Sequence, residues 1–448
     1  MLVKPPERSC FNFGTFSLAA VAAAVRDLAG VVILDATDLT AGEAVRQIAR
    51  RRPDLVGVTT MGLSSVPAVA ELIRRIKARA PGGKARPPAA CVAGGHGASM
   101  CPDVLLDAGA DAVVIGEGEV VFRRIVAEGI AAGSPGTACR QRGRTVLGPP
   151  QPLIEPLDAL APAARDLMPP RAEAIHLMET SRGCPHACAF CETTRFYRRR
   201  WRGQSPMRVV AEVRRLLDEF DAWIVHITDD NFTADRRRVR AICRQLLDGD
   251  LPAMFMVSAR ADDLIADPDL LPAMARARML RITVGVETLD SRTALAAGKP
   301  IPPAAYREAF ARMRQLGIFS VASLIVGIPG ESREARARAV ELAVEAAPDL
   351  AHFLPFLPLP GIPLRLGRAG FDPDPADVAD AHRFTRAFFE HPSVGARLGE
   401  AASRDDVRGL LARATIQNRL HGATAAPQWI VDSGRSRFRL SPVRMESR

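Results

Sequence analysis

Met178-Glu179-Thr180-Ser181-Arg182-Gly183-Cys184-Pro185-His186-Ala187-Cys188-Ala189-Phe190-Cys191 is the densest chemical signal in this 448-residue chain. Cys184, Cys188 and Cys191 stand in a C-x3-C-x2-C spacing, in a loop opened by Gly183 and Pro185 after a predicted strand. Thiolates so spaced can converge on one metal centre. An iron–sulfur cube normally takes four cysteines. Three leave one iron without a protein ligand, and that open position lets the centre act on something bound there. The alternative is a structural zinc ion, which wants a fourth ligand and favours paired C-x2-C knuckles. The sequence has no second knuckle, and His186 stands inside the same tight loop as a candidate fourth ligand. The iron–sulfur reading leads and zinc stays open.

Outward from this loop, residues 206–220 read as a helix, with Ser205 as its cap and Pro206 at its first position. A second helix is predicted at 236–247. Strands are predicted from Ile175 into the cysteine loop, then at 223–228, 254–258, 281–288, 321–327 and 350–357. Their carboxyl ends gather Asp229-Asp230-Asn231, Arg260, Glu287 and Gly327-Ile328-Pro329-Gly330. Parallel α/β barrels carry their active sites at such ends. Each residue also has a plain reading, since a carboxylate at a strand end often caps the next helix.

Upstream, strands at 2–3, 31–35, 54–59, 90–96 and 112–116 alternate with helices at 18–28, 41–51 and 66–80. That alternation predicts a doubly wound parallel sheet. Ligands of such sheets bind outside the carboxyl ends of the strands. Thr59-Thr60-Met61, Gly94-Gly95-His96 and Gly116-Glu117-Gly118 stand there. Small residues allow the backbone close to a large flat ligand. The expected organisation is a Rossmann-like domain at 1–135, a proline-rich linker at 136–172, a partial (β/α)6 TIM-type barrel at 173–365 and a mainly helical extension at 366–448. In the extension, a helix at 373–390 carries Phe384, Phe388 and Phe389, a stripe that suits core packing or a lid over the barrel. The arginine-rich stretch from Ser433 reads as a loose tail.

Hydrophobic residues make up 48% of the chain, enough for a sizeable core, and no apolar run is long enough to span a bilayer. The N-terminus lacks a signal-peptide pattern, so a cytoplasmic location is expected. Eight cysteines, three of them clustered, do not form a disulfide framework. The formal charge of +10 rests almost wholly on arginine, with lysine only at 4, 77, 84 and 299. Such a bias points to coding composition rather than to nucleic acid. Arg198-Arg199-Arg200 with Arg202 reads first as a solvated face, with a grip on an acidic substrate group as the alternative.

The C-x3-C-x2-C loop with Phe190 before its last cysteine resembles the signature of radical S-adenosylmethionine (SAM) enzymes. The resemblance implies that Cys184, Cys188 and Cys191 hold a 4Fe-4S cluster. S-adenosylmethionine would chelate its open iron and be cleaved by one electron to a 5′-deoxyadenosyl radical. Phe190 would lie near the adenine, together with Gly327 and Ile328. Asp229, Asp230 and Asn231 stand where that family meets the methionine amino group, although its usual Gly-Gly-Glu is absent. Arg260 would pair with the carboxylate, and Glu287 would bind the ribose or the carboxylate. The N-terminal unit resembles the cobalamin-binding domain of one large subfamily, through its Gly-Gly-His turn and Gly-Glu-Gly-Glu strand end. Thr59, Thr60, Met61, Gly94, Gly95, His96, Gly116, Glu117 and Gly118 would then touch cobalamin. The loop Pro5-Pro6-Glu7-Arg8-Ser9-Cys10 lacks the Asp-x-His-x-x-Gly whose histidine ligates cobalt elsewhere, which implies a cobalt without a lower histidine. His96 is expected to touch the ligand from its turn rather than to ligate it.

The implied activity is methyl transfer to an unactivated carbon of a small-molecule natural product or a tetrapyrrole or lipid intermediate. A radical cyclase or ring rearrangement is the near alternative, and a zinc-stabilised binding module the distant one. The implied partners are a small-molecule substrate and an electron donor such as flavodoxin or ferredoxin, with no nucleic acid and no membrane span.

Overall fold

The computed structural model describes residues 1–6, 14–78, 89–169, 175–360, 362–364, 370–405, 408–409, 411–413 and 415. The expectations for residues 7–10, for the end of the helix at 79–80 and for the tail from Ser433 lie outside the described residues. Among those described, no helix is long and apolar enough to cross a membrane.

Short β-branched runs separated by amphipathic helices build the first sheet. Strands β1 (Leu2–Lys4), β2 (Ile33–Asp35), β3 (Leu55–Thr60), β4 (Ala90–Gly95) and β5 (Ala112–Val114) lie in the order β2-β1-β3-β4-β5, all parallel. The helix Ala41–Arg51 begins where Thr40 and Glu43 cap each other, the Glu43 amide donating to Thr40 Oγ1 at 3.2 Å and the Thr40 amide to Glu43 at 2.8 Å. Two apolar layers cover the sheet, one around Val56, Val58, Leu72 and Ile73, the other around Leu2, Leu18, Val92 and Phe122.

The sheet does not stop where the linker was expected to begin. Strands β6 (Thr137–Gln141) and β7 (Arg144–Leu147) form a hairpin that pairs antiparallel with β5, making seven strands. The glycines and prolines around it mark its turns: Gly136 and Gly143 take φ of +71° and +76°. An irregular crossing follows, through short turns at Leu157–Ala159 and Arg165–Leu167. Arg165 fastens it to both neighbours, over the Phe16 ring at 4.9 Å and donating to the Leu177 carbonyl at 2.6 Å.

The second unit starts with β8 (Ile175–Met178), and a two-residue antiparallel pair follows, β9 (Ser181–Arg182) with β10 (Arg202–Gly203). Parallel strands β11 (Ile224–Ile227), β12 (Met254–Ala259), β13 (Met279–Glu287), β14 (Phe319–Val326) and β15 (Leu350–Pro355) then lie side by side in chain order after β8. This is single-direction βα winding, as the alternation predicted. The helix Pro206–Phe220 opens as expected, the Arg208 amide donating to Ser205 Oγ at 3.2 Å. The helix Pro375–Glu390 packs on β15 and buries Phe384 and Phe388 in the barrel core, so its aromatic stripe is core and not a lid. Phe356, Leu359 and Ile362, beyond β15, join the core of the first sheet. That apolar seam binds the two units together.

Candidate active site

Two adjacent carboxylates at the end of β11 shape the cysteine loop from opposite sides. Asp229 is buried and accepts from the Thr180 amide at 2.7 Å, the Thr180 hydroxyl at 2.6 Å and the Ser181 hydroxyl at 2.6 Å. It stitches β11 to the strand that enters the loop. Asp230 faces the other way, accepting from the Gly183 amide at 3.0 Å and the Thr193 hydroxyl at 2.9 Å. Those two residues flank the three cysteines, so one carboxylate braces both ends of the loop. Burial pushes the Asp230 carboxyl up to about 6, against the pull of these hydrogen bonds. Asn231 is spent locally, accepting from Thr233 and donating to Asp263 at 3.0 Å. Of the three residues expected at the methionine amino group, Asp230 alone lines the cavity between the two units.

All three loop cysteines are free and partly accessible. Burial pushes the Cys184 thiol up to about 11 and raises that of Cys191. Arg260 Nη1 lies 3.9 Å from Cys188 Sγ, while Asp262 holds the same guanidinium at 3.0 and 2.8 Å. The loop backbone is clamped from the barrel side, the Ala189 amide donating to the Ala297 carbonyl at 3.0 Å. Among the described residues, no three His, Cys, Asp or Glu side chains converge on a point that would hold a single metal ion.

A cavity of about 430 Å³ lies between the two units. From the first sheet it is lined by Thr59, Thr60, Met61, Gly94, Gly95, His96, Gly116, Glu117 and Gly118. From the second, Met178, Glu179, Ser181, Arg182, Thr228 and Asp230 line it, with Glu192, Thr193, Phe196 and Tyr197 from beyond the last cysteine. The strand ends of the first sheet therefore share one chamber with the ends of β8 and β11, of a size typical for small-ligand sites, while Cys184, Cys188, Cys191, Phe190, Arg260, Glu287, Gly327 and Ile328 are not among its lining residues. An apolar slot extends from it past Leu2, Phe16, Val92 and Phe122. Gly57 keeps this slot open, because a Cβ there would come within 2.8 Å of Leu2 and 3.2 Å of Phe122.

Not every lining residue is free to meet a ligand. Thr60 Oγ1 donates to the Gly94 carbonyl at 2.9 Å and accepts from the Ala98 amide at 2.7 Å. Gly95 takes φ of +102°, and a side chain there would overlap the Thr60 carbonyl. The His96 ring stacks on Phe196 with centroids 3.9 Å apart and meets Tyr197 edge-on at 5.6 Å. Burial pushes its imidazole down to about 4, with Arg182 adding to the effect. Glu117 turns away from a ligand role into an ion-pair network that the sequence reading missed. Arg182 donates to Glu117 at 2.8 Å, to Glu119 at 2.6 Å and to Glu179 at 2.6 Å. Arg202, paired directly opposite Arg182 in the β9–β10 ladder, donates to Glu117 at 2.9 and 3.1 Å. Both arginines and Glu117 and Glu119 are buried. Arg202 is thus a structural cation and not part of the solvated run. A second tie runs from Glu192, next to Cys191, which accepts from the Leu63 amide at 3.2 Å.

Residues 178–343 match the radical SAM superfamily, and residues 11–126 match the B12 binding domain. The chain belongs to the cobalamin-dependent radical SAM family. It is 28% identical over 383 residues to an uncharacterized methyltransferase of Pyrococcus horikoshii, covering 81% of each. It is 27% identical over 354 residues to the anaerobic magnesium-protoporphyrin IX monomethyl ester cyclase of Rubrivivax gelatinosus, covering 74% of this chain and 61% of that one. Among solved structures, the radical SAM methyltransferase TsrM of Kitasatospora setae is similar with a TM-score of 0.67 at 20% identity, over 81% of this chain and 74% of that chain. That last likeness is one of fold.

In this cobalamin-dependent radical SAM enzyme the remaining strand-end residues are held under strain or by neighbours. Glu287 takes φ of +65°, rare for a side-chain-bearing residue, where the β13–β14 register shifts. Lys299 donates to it at 2.9 Å. Such a conformation costs about 1–3 kcal/mol and persists where surrounding structure enforces it, often at functional sites. Gly327 takes φ of +85° and donates its amide to Glu331 at 3.0 Å, while Ile328 is buried. Phe190 packs at the seam with the first sheet's core.

Proposed function

We propose that the enzyme transfers a methyl group to an unactivated carbon of a small molecule bound in the shared cavity. The observation that carries this reading is the cavity itself, which joins the carboxyl ends of the first sheet to the ends of β8 and β11, beside the cysteine loop. The family implies a 4Fe-4S cluster, S-adenosylmethionine and cobalamin. Cys184, Cys188 and Cys191 fit the cluster: three free thiols on a loop braced at both ends, with the Arg260 charge beside one of them. Asp230, Arg260, Glu287, Gly327, Ile328 and Phe190 are the proposed S-adenosylmethionine neighbours. Asp229 and Asn231 leave that set, because their hydrogen bonds are satisfied within the protein. Thr59, Met61, Gly94, Gly116 and Gly118 are the proposed cobalamin wall, and the apolar slot suits a flat aromatic appendage such as cobalamin's benzimidazole. When bound, the cluster and S-adenosylmethionine supply a carbon-centred radical, and cobalamin supplies a transferable methyl group.

The chain's own work is positional. Asp230 and Asp229 fix the loop, and the Arg182 network fixes the loop against the first sheet. The stacked Phe196 and His96 rings form part of the wall and limit water at one side. Holding a substrate between two reactive centres can supply up to roughly 7–11 kcal/mol of the barrier, and slight misplacement forfeits it. His96 is proposed as wall and not ligand. His96→Ala should leave the electron paramagnetic resonance signature of bound cob(II)alamin unchanged, while lowering stability by about 0.5–1.5 kcal/mol for the lost ring contact. A changed cobalt signature would make His96 a ligand after all.

Radical ring closure is the second reading, supported by the similarity to the Rubrivivax cyclase. Product mass separates the two. Anaerobic reconstitution with cobalamin and screening of candidate small molecules should yield a product in which one hydrogen is replaced by methyl. A product that carries no added methyl would decide for cyclisation or rearrangement.

A further inference from the structure

We propose that Arg198, Arg199 and Arg200, with Arg124, form the docking face for a small acidic one-electron carrier protein of the flavin or iron–sulfur kind. This rests on the radical reading above, which needs one electron from outside for each S-adenosylmethionine cleaved.

Three observations carry it. The first is position. A side chain at Gly183, the residue before Cys184, would overlap the Arg200 carbonyl, so the arginine turn lies directly against the start of the cysteine loop. Phe196 and Tyr197, just before the turn, are buried at the cavity, while Arg198, Arg199 and Arg200 are exposed. One short segment thus links the protein surface to the loop. The second is backbone cost. Arg198 and Arg199 both adopt left-handed conformations, with φ of +53° and +57°. Two successive bulky residues in that region are uncommon. The turn is held by the Arg199 amide donating to the Thr194 carbonyl at 2.8 Å and the Arg200 amide to the Tyr197 carbonyl at 2.9 Å. The third is charge. Arg198 donates to the Gln151 carbonyl at 3.0 Å, Arg124 to the Gln151 side chain at 2.9 Å, and Arg200 pairs with Glu155 at 2.8 Å. These contacts gather three cations, Arg198, Arg124 and Arg200, around residues 151–155, where Glu155 pairs with Arg200, and Arg199 stands exposed beside them. A face of this kind steers acidic partners, mainly through association rate and with strong salt dependence.

The redox step is simple. One electron leaves the reduced carrier, which is oxidised by one unit, and reduces the cluster by one unit; no atom crosses the interface.

The test compares wild type with Arg198→Glu/Arg199→Glu, using a purified acidic flavodoxin as the probe. Affinity of the reconstituted enzyme for that flavodoxin should weaken about tenfold or more at low ionic strength, and the difference should shrink at high salt. Cluster reduction and 5′-deoxyadenosine formation driven by reduced flavodoxin should slow in parallel, while the dithionite-driven yield stays at the wild-type level. Arg198→Gln/Arg199→Gln should fall between. Salt-independent or absent binding to wild type, or equal flavodoxin-driven rates in wild type and variant, overturns the docking face and leaves the radical reading standing. A loss with both reductants also overturns it, assigning the arginines to folding or to the substrate. Absence of deoxyadenosine from wild type with either reductant refutes the radical reading itself, while the affinity measurement still reports on the face.

Discussion

Cys184, Cys188 and Cys191 replaced together by alanine give a colourless protein that forms no 5′-deoxyadenosine above background. The visible absorbance of anaerobically reconstituted protein, its iron and sulfide content, and a deoxyadenosine assay with dithionite check this. The thiols are the only obvious soft ligands on the loop, and an iron–sulfur cluster is held by thiolates. Burial raises the thiols of Cys184 and Cys191. Without metal they therefore stay protonated, and cluster binding must displace those protons. All three residues are partly accessible, so each replacement should cost only about 1 kcal/mol of folding stability. Cobalamin uptake, proposed to use the strand ends of the first sheet, should persist. A brown triple variant would end the assignment of the loop.

Arg182→Met should lower folding stability by about 3–5 kcal/mol, read from urea unfolding, because removing one partner of a buried ion pair strands the others. Glu117 keeps Arg202, but Glu119 and Glu179 lose their hydrogen-bonding cation. The pH dependence gives a sharper test. In the wild type, burial pushes Glu179 up to about 7, with Arg182 opposing the shift. A carboxyl raised above its unfolded value near 4.5 contributes stability below that value and loses it as pH rises through 7. Glu119 behaves oppositely: burial would raise it, but the charge and hydrogen bond of Arg182 outweigh that and hold it below its usual value. Its stabilisation is present above the unfolded value and is lost on acidification. Without Arg182, both carboxyls rise, so the variant's deficit should be largest near pH 8 and shrink toward pH 5. Arg182→Lys keeps a charge but not the three-way fork, and should recover only part of the loss. A deficit independent of pH would mean that the network is not the cause.

Most strands were legible because their apolar runs end in glycine or a charge. The series from β11 to β15 falls within a few residues of its predicted bounds. The cysteine loop was legible because its chemistry is local, three thiols within eight residues. The hairpin at 137–147 was not, since glycine and proline mark the turns of a sheet edge as strongly as they mark a linker. Asp229 and Asp230 show a different limit. Successive residues of an extended chain point to opposite sides. One of two adjacent carboxylates was bound to face inward, and composition cannot say which. The Arg182 network joins residues 63 and 65 positions apart in the chain, and nothing in the spacing of Glu117, Glu119 and Arg182 announces the pairing.

That network also bears on how such enzymes can be recombined. Arg182 and Glu192 bracket the cysteine loop, yet their partners, Glu117, Glu119 and the Leu63 amide, belong to the other domain. The barrel on its own would leave Arg182 with Glu179 alone, two of its three carboxylate partners gone. The two halves are therefore not interchangeable cassettes. A graft of a foreign cobalamin domain onto this barrel would have to bring both glutamates and the amide in register, or the loop would lose its geometry before any substrate arrived.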